Sequence, residues 1–211
     1  MKYRTKEVQR RQKATAGLVS LALLATIAVV SNNAIAIADK NNEVVKQMFK
    51  DDKVATISKI EGLWVVGDSV ILGIRSELEA KAHIGLINAR VGRQAGELLE
   101  VIKHDKVKMA GMKTVLDIGN NNRLTSSEVE AIFEELKDQP LVIVVNTAVP
   151  RGWRDENNQL IASIASQYPN IRIVDWALKS ENHPEYFAPD GVHLIPAGIA
   201  AYVSAITDYL Y

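Results

Sequence analysis

A serine near the start of the chain's main apolar region is the first residue suited to chemistry. Ser69 follows Gly67-Asp68 and precedes Val70-Ile71-Leu72, where the apolar pattern predicts that a helix begins. A backbone N–H in the first turn of a helix has no intrahelical acceptor, so a nucleophile at Ser69 has a donor nearby for a developing oxyanion. Serine at a helix start is also a common N-cap, and the tripeptide alone leaves both roles open.

An aspartate and a histidine near the end of the chain complement this serine. The segment Asp190-Gly191-Val192-His193 precedes a helix that Pro196 initiates. In such a turn the carboxylate can accept a hydrogen bond from the imidazole Nδ1–H, which leaves Nε2 to take a proton from a serine. The other histidines lack an aspartate at this spacing, and no two of them have the spacing of metal ligands: His83, His104 and His183. We therefore predict a Ser69–His193–Asp190 triad, with no metal and no cofactor.

The elements that must position these residues alternate along the chain. Apolar runs predict five buried strands, and apolar residues at helical spacing predict five helices between and after them. Together they indicate an α/β fold, a three-layer doubly wound parallel sheet of about five strands. The predicted strands are Leu63–Val66, Leu86–Ala89, Thr114–Ile118, Leu141–Val145 and Ile171–Val174, and the predicted helices are 70–81, 94–109, 126–137, 157–167 and 196–210. Because ligands bind beyond the carboxyl ends of such strands, catalytic residues are expected just after strands.

These blocks resemble the SGNH (GDSL-like) hydrolase superfamily, which has a flavodoxin-like sheet. Gly67-Asp68-Ser69 and Asp190-x-x-His193 match its first and last blocks, Gly92 follows the second strand, and Gly119-Asn120-Asn121 follows the third. The resemblance covers about 62 to 210. It implies an oxyanion hole formed by the backbone N–H groups of Ser69 and Gly92 and the side-chain amide of Asn121.

A finer resemblance points to the extracytoplasmic domain of peptidoglycan O-acetyltransferases. It is carried by N-A-x-V-G-R-Q (88–94), V-N-T-A-V-P-R-G-W (145–153), V-D-W-A (174–177) and Y-F-A-P-D-G-V-H-L (186–194). The resemblance implies that Ser69 accepts an acetyl group and passes it to a hydroxyl of a cell-wall glycan. The turn at 119–122 reads G-N-N-N where the family often has G-T-N-G. The usual member also carries a multi-span acyltransferase domain, so a separate membrane protein or a soluble donor is expected to supply the acetyl group here.

The N-terminal segment has the features of an export signal, which bears on where the protein is located. The first 38 residues begin with six basic residues and one acidic residue. An apolar stretch from 14 to 30 comes next, and the sequence Ala34-Ile35-Ala36-Ile37-Ala38 ends the segment. This predicts a signal peptide cleaved after Ala36 or Ala38, or a signal anchor, in residues 1–38. Residues 39–60 are expected to form a polar tether or a short helix before a catalytic domain at 61–211. The protein is therefore expected to be extracytoplasmic, either secreted or anchored to the membrane at the bacterial cell wall.

The body of the chain is mildly acidic and contains no cysteine. From position 39 onward it has 19 basic and 24 acidic residues without a basic stripe, which excludes a typical nucleic-acid-binding protein. The absence of cysteine also excludes a thiol nucleophile and a lipoprotein attachment site.

The sequence alone is compatible with more than one function for the chain and more than one role for some residues. Hydrolysis by a carbohydrate or general acetyl esterase would use the same residues as transfer to a glycan. A non-catalytic binding module on the same sheet is a third possibility, although the phosphate-binding form would need a Gly-rich loop after the first strand. Trp153 and Arg151 are candidate glycan contacts, with ordinary packing as the alternative for Trp153. Asp117, in an apolar strand, has no predicted role beyond that of a buried structural acid.

Overall fold

Strands and helices alternate throughout residues 62–210, the part of the chain that the computed structural model describes. The predicted signal segment (1–38) and tether (39–60) lie outside the described residues. The strands are β1 (Leu63–Gly67), β2 (Ile84–Ala89), β3 (Lys113–Asp117), β4 (Val142–Val145) and β5 (Ile171–Val174). The helices are α1 (Ser69–Lys81), α2 (Ala95–Asp105), α3 (Ser126–Leu136), α4 (Arg154–Ala165), α5 (Trp176–Lys179) and α6 (Pro196–Thr207), with a 3₁₀ turn at Pro184–Tyr186.

All four strand pairings are parallel, and the strand order is β2-β1-β3-β4-β5. Strand β1 lies inside the sheet. From it the described chain continues to β2 at one edge and then returns to form β3, β4 and β5 on the other side of β1. The predicted doubly wound parallel sheet is confirmed. Such a winding opens a crevice beyond the carboxyl ends of β1 and β3, where the direction of winding reverses.

The sheet is covered on both faces because its central strands alternate apolar side chains between two cores. Trp64 and Val66 of β1 pack with α2, α3 and α4, whereas Leu63 and Val65 pack with α1 and α6. This explains the continuous apolar runs in the sequence, since a strand buried on both faces has no solvent side. Trp64 and Trp176 are both buried, as the sequence predicts.

Several helix boundaries differ from the predicted ones: the second helix ends at Asp105 instead of 109, and the last ends at Thr207 instead of 210. The third helix has its predicted capping box, in which Thr125 and Glu128 each bond a backbone N–H. The fourth begins at Arg154, three residues early, since polar Asp155 and Glu156 in its first turn carry no apolar pattern but favour a helix N-terminus. The four-residue α5 is too short for periodicity to detect. Every helix within residues 62–210 is too short or too polar to cross a bilayer.

Candidate active site

The turn between β1 and α1 presents Ser69 at the carboxyl edge of the sheet. Asp68 caps the helix, since its Oδ1 accepts the N–H of Val70 at 2.9 Å, and Ser69 is the first helical residue. The N-cap role that the sequence left open for Ser69 therefore belongs to Asp68. This leaves the Ser69 hydroxyl available to the crevice and its N–H in the first turn, where helices provide no acceptor.

The turn before α6 brings His193 against Ser69. The Nε2 atom of His193 lies 3.0 Å from the Oγ of Ser69, and its Nδ1 lies 2.6 Å from the Oδ2 of Asp190. The other oxygen of Asp190 accepts the N–H groups of Val192 and His193 at 2.9 and 3.0 Å. These three hydrogen bonds, led by the one to the imidazole, lower the pKa of Asp190 to about 2, so the carboxylate is ionised at every pH at which the imidazole can act as a base.

The structure thus joins the three predicted residues in one line of hydrogen bonds, and their catalytic roles stay predictions. The line is open to water. The side chains of His193 and Asp190 are 51% and 50% exposed, and Ser69 is half-buried. An acceptor molecule can reach His193 without a rearrangement of the fold, and so can water.

The loop after β2 places Gly92 beside the nucleophile turn. Gly92 has a φ of +69°, a left-handed conformation that favours glycine, and it is exposed. No backbone carbonyl within residues 62–210 accepts its N–H. The loop is tied to β1, because the N–H of Arg90 donates to the carbonyl of Gly67 at 3.4 Å. The predicted oxyanion donor at Gly92 therefore lies on the correct edge of the sheet with its N–H unoccupied.

Asn121, the third predicted oxyanion donor, is engaged elsewhere. Its Nδ2 donates to the Oδ2 of Asp68 at 2.6 Å and to the carbonyl of Arg93 at 3.2 Å. These two bonds use both hydrogens of the amide. Donation to an oxyanion therefore requires one bond to be exchanged, and the longer one to Arg93 is the weaker of the two.

Arg93 is a buried side chain whose contribution the sequence does not reveal. Its Nη1 donates to the carbonyls of Gly67 and Asn88 at 3.1 and 2.6 Å, and its Nη2 donates to the Oδ1 of Asn88 at 2.9 Å. The guanidinium thus fastens the end of β2 to the end of β1, directly beneath the Gly92 loop. The burial of Arg93 (9% exposed) and its carbonyl partners depend on tertiary contacts, which no local pattern displays.

The two tentative glycan contacts lie on the loop between β4 and α4. Arg151 is exposed, and Trp153 is partly buried at the N-cap of α4, with its Nε1 buried and without a hydrogen-bond partner in the described residues. Neither side chain forms a hydrogen bond with the triad. The loop nevertheless borders it, because the ring of Pro150 packs against Gly191 in the Asp190–His193 turn.

A pair of buried carboxyl groups under the nucleophile turn is the other feature that motif analysis missed. Asp68 and Asp117 are 3% and 2% exposed, and both contact the side-chain amide of Asn120. The only signal in the sequence is a charged residue, Asp117, at the end of a buried apolar strand.

Comparisons with known proteins place these features in context. No protein-family model matches the chain. Over 146 residues the chain is 36% identical to the peptidoglycan O-acetyltransferase OatA of Listeria monocytogenes, a match that covers 69% of this chain and 23% of that protein. The chain therefore spans less than a quarter of the length of this relative.

Solved structures include similar folds. The C-terminal catalytic domain of peptidoglycan O-acetyltransferase A from Streptococcus pneumoniae, solved with a methylsulfonyl adduct, has a TM-score of 0.62 and 25% identity, and the match covers 71% of this chain and 92% of that one. A GDSL-like lipase from Bacteroides thetaiotaomicron has a TM-score of 0.56 at 16% identity, covering 72% of this chain and 88% of that one. The second likeness is one of fold alone. The comparisons confirm both the fold class and the resemblance carried by the motifs.

Proposed function

Residues 62–210 form a domain of the SGNH hydrolase fold that is similar in sequence to peptidoglycan O-acetyltransferases, and from this premise we propose that the chain is an extracytoplasmic O-acetyltransferase acting on cell-wall peptidoglycan or a related glycan. The observation that carries the proposal is the line of hydrogen bonds from Asp190 through His193 to Ser69. That line lies at the edge of the sheet where the winding reverses, which is where α/β folds bind ligands.

The first half-reaction forms an acetyl-serine. The Oγ of Ser69 attacks the carbonyl carbon of an acetyl ester while the Nε2 of His193 takes the hydroxyl proton. The bond between the carbonyl carbon and the departing oxygen then breaks, and His193 returns the proton to that oxygen. Asp190, ionised throughout, holds the imidazole by Nδ1 and stabilises its protonated form.

The second half-reaction reverses these roles. His193 takes a proton from a glycan hydroxyl, the hydroxyl oxygen attacks the acetyl carbonyl, and Ser69 recovers its proton as it leaves. In both halves the oxyanion is held by the N–H groups of Ser69 and Gly92 and by the amide of Asn121 once its bond to Arg93 is exchanged. Trp153 and Arg151 border the acceptor side of the crevice, where an indole ring can stack on a sugar face.

Partners follow from the same scheme. The substrates are an acyl-ester donor and a glycan acceptor, and a separate multi-span membrane acyltransferase is the expected source of the acetyl group. The protein is secreted or held at the cytoplasmic membrane by its N-terminal segment.

Hydrolysis is the second candidate, and one observation favours it. Half of the His193 side chain is exposed, so water can reach the imidazole, which is the base that would activate this water for hydrolysis. Transfer needs an acceptor that displaces this water and is positioned for attack. The two reactions therefore use the same residues. They differ in whether a glycan hydroxyl or a water molecule lies next to the imidazole of His193.

The test uses the full chain with p-nitrophenyl acetate, with and without chitooligosaccharide acceptors. We expect acetylated sugar to accumulate in proportion to the acceptor, with Ser69→Ala slower by about 10³-fold or more. Acetate release that is unaffected by the acceptor would instead establish an esterase. Turnover by Ser69→Ala at the wild-type rate would remove the serine mechanism altogether.

A sulfonyl fluoride provides an independent readout of the nucleophile. The related pneumococcal domain was solved with a methylsulfonyl adduct, so methanesulfonyl fluoride is a suitable reagent here. We expect the intact wild-type protein to gain the mass of one methylsulfonyl group, located on Ser69 by peptide mapping. Ser69→Ala should gain none.

A further inference from the structure

Two aspartates beneath Ser69 form a cluster that the proposed reaction does not use. Asp68 begins α1 and Asp117 ends β3, and the Nδ2 of Asn120 lies 3.1 Å from the Oδ2 of Asp68 and 3.0 and 3.2 Å from the two oxygens of Asp117. Glycine at position 67 permits this approach, since a Cβ there would lie 3.0 Å from the Cβ of Asp117. Two carboxyl groups are thus held within reach of a single amide.

Neither carboxyl group forms an ion pair with a lysine or arginine of the described residues. The charged groups that bear on Asp68 are Asp117, His193 and Arg93, the last of which attracts Asp68 without a hydrogen bond, while Asp117 faces Asp68 and the Tyr202 hydroxyl from α6. Two adjacent buried carboxylates repel one another and lack hydration, so a proton on one of them is favoured, and the attraction of Arg93 favours the charge on Asp68.

Solvation by water cannot substitute for that proton. The space lined by Asp117, Asn120 and Tyr202 is a cavity of about 10 Å³, which is room for about one water molecule. A single water does not hydrate a carboxylate as bulk water does. The interior around Asp117 therefore favours the neutral acid.

The hydrogen bonds decide which of the two keeps the proton. Asp68 accepts three N–H donors, from Val70, Asn120 and Asn121, and it lies at the positive end of α1. Within the described residues, Asp117 has only the shared amide of Asn120 and the nearby hydroxyl of Tyr202. Burial, followed by the charge of Asp68, raises the pKa of Asp117 well above its ordinary value. Burial also raises the pKa of Asp68, but the hydrogen bonds from Val70 and Asn120 oppose that change.

We propose that Asp117 is a positioning residue that stays protonated under working conditions, so that Asp68 alone carries the negative charge and holds the amide of Asn121 beside Ser69. This role rests on the proposed acyl-transfer function. The Oδ2 of Asp68 lies 2.6 Å from the Nδ2 of Asn121, so the charge of Asp68 fixes the direction of that amide. A second negative charge on Asp117 would compete for Asn120 and repel Asp68.

The direct test is infrared spectroscopy of the full chain at pH 7. We expect a carbonyl band of a buried protonated carboxyl group that disappears in Asp117→Asn. The control is Asp155→Asn, which removes an exposed aspartate whose pKa Arg154 lowers, and here the band should remain. Absence of the band in the wild type, or its persistence in Asp117→Asn, would overturn the proposal. This readout does not depend on turnover, so it separates failure of the proposal from failure of the proposed function.

Activity gives the second arm. Because asparagine is close in shape to a neutral aspartic acid, Asp117→Asn should retain kcat for aryl acetate within about threefold. Asp68→Asn, which removes the charge that holds Asn121, should lose about 10- to 100-fold in kcat with little change in KM. Equal losses in the two variants would show that Asp117 acts as an anion, contrary to the proposal.

Discussion

Asp190 and Asp117 lie on opposite sides of the Ser69 turn and differ in nearly every physical respect. Asp190 is half exposed and accepts hydrogen bonds from an imidazole and two backbone N–H groups, which lower its pKa to about 2. Asp117 is buried at the end of β3, faces another carboxyl group, and has a pKa well above the ordinary value of 3.8. An aspartate is therefore a carboxylate anion on the solvent side of the nucleophile, at Asp190, and a neutral, protonated carboxyl group on the buried side, at Asp117.

This difference separates two tasks in the serine mechanism that we propose. The exposed side exchanges protons during the reaction, so its groups need access to substrate and a base with a fixed orientation. The buried side must keep its charge constant, so that the amide of Asn121 does not change direction when protons move nearby. Substitutions of the exposed groups should therefore affect rate above all, whereas Asp117→Asn on the buried side should affect the dependence of stability on pH.

The largest effect is expected at the base on the exposed side. His193→Ala should lower kcat/KM for aryl acetate by about 10⁴-fold, and adding Ser69→Ala should lower it no further, since the two act as one unit. The control is His183→Ala, because the Nδ1 of His183 also lies 2.8 Å from a carboxylate oxygen, that of Glu185, but its imidazole bonds no serine hydroxyl within the described residues. A double variant far slower than either single variant would mean that Ser69 and His193 do not act together.

Asp190→Asn should have the next largest effect, about 10²-fold in kcat. Asparagine can donate to Nδ1, which favours the tautomer whose Nε2 carries the proton and cannot accept one from Ser69. The effect should be smaller than that of His193→Ala because water can partly replace an exposed carboxylate. The pH profile of the wild type should show no step from Asp190 above about pH 3, given its pKa of about 2. An unchanged kcat in Asp190→Asn would remove Asp190 from the mechanism.

The buried side should be visible in stability. The folded pair keeps a proton that the unfolded aspartates release above pH 4, so the folded state binds more protons and its stability falls as pH rises. The wild type should therefore lose up to about 1.4 kcal/mol of unfolding free energy per pH unit, relative to Asp117→Asn, from pH 4 until the pair loses its proton. Urea denaturation at several pH values measures this difference. A constant difference from pH 4 to 8 would contradict the protonated pair.

The contrast also explains which parts of the molecule sequence reasoning can reach. The sequence predicts the roles of Ser69, Asp190 and His193 because each residue follows a strand or precedes a helix, and local sequence patterns indicate where those strands and helices begin and end. The protonation of Asp117 depends on Asp68, a residue 49 positions away, which approaches only when β1 and β3 pair. The buried guanidinium of Arg93 likewise acquires its role from carbonyls of two different strands. Polar groups in a core thus derive their chemistry from neighbours that no local pattern displays.

The smallest effect is expected from Tyr202→Phe, which distinguishes two possible settings for the Asp117 proton. The Tyr202 hydroxyl is buried and faces Asp117 but forms no hydrogen bond of good geometry within the described residues, so its removal should change the unfolding free energy by less than about 1 kcal/mol. Tyr209→Phe is the matched control, since that hydroxyl donates to the carbonyl of Ile173 at 3.1 Å. If Tyr202→Phe instead abolished the pH dependence of stability, as Asp117→Asn should, the hydroxyl would be the group that fixes the proton on Asp117. An unchanged pH dependence would leave burial and the charge of Asp68 as sufficient causes.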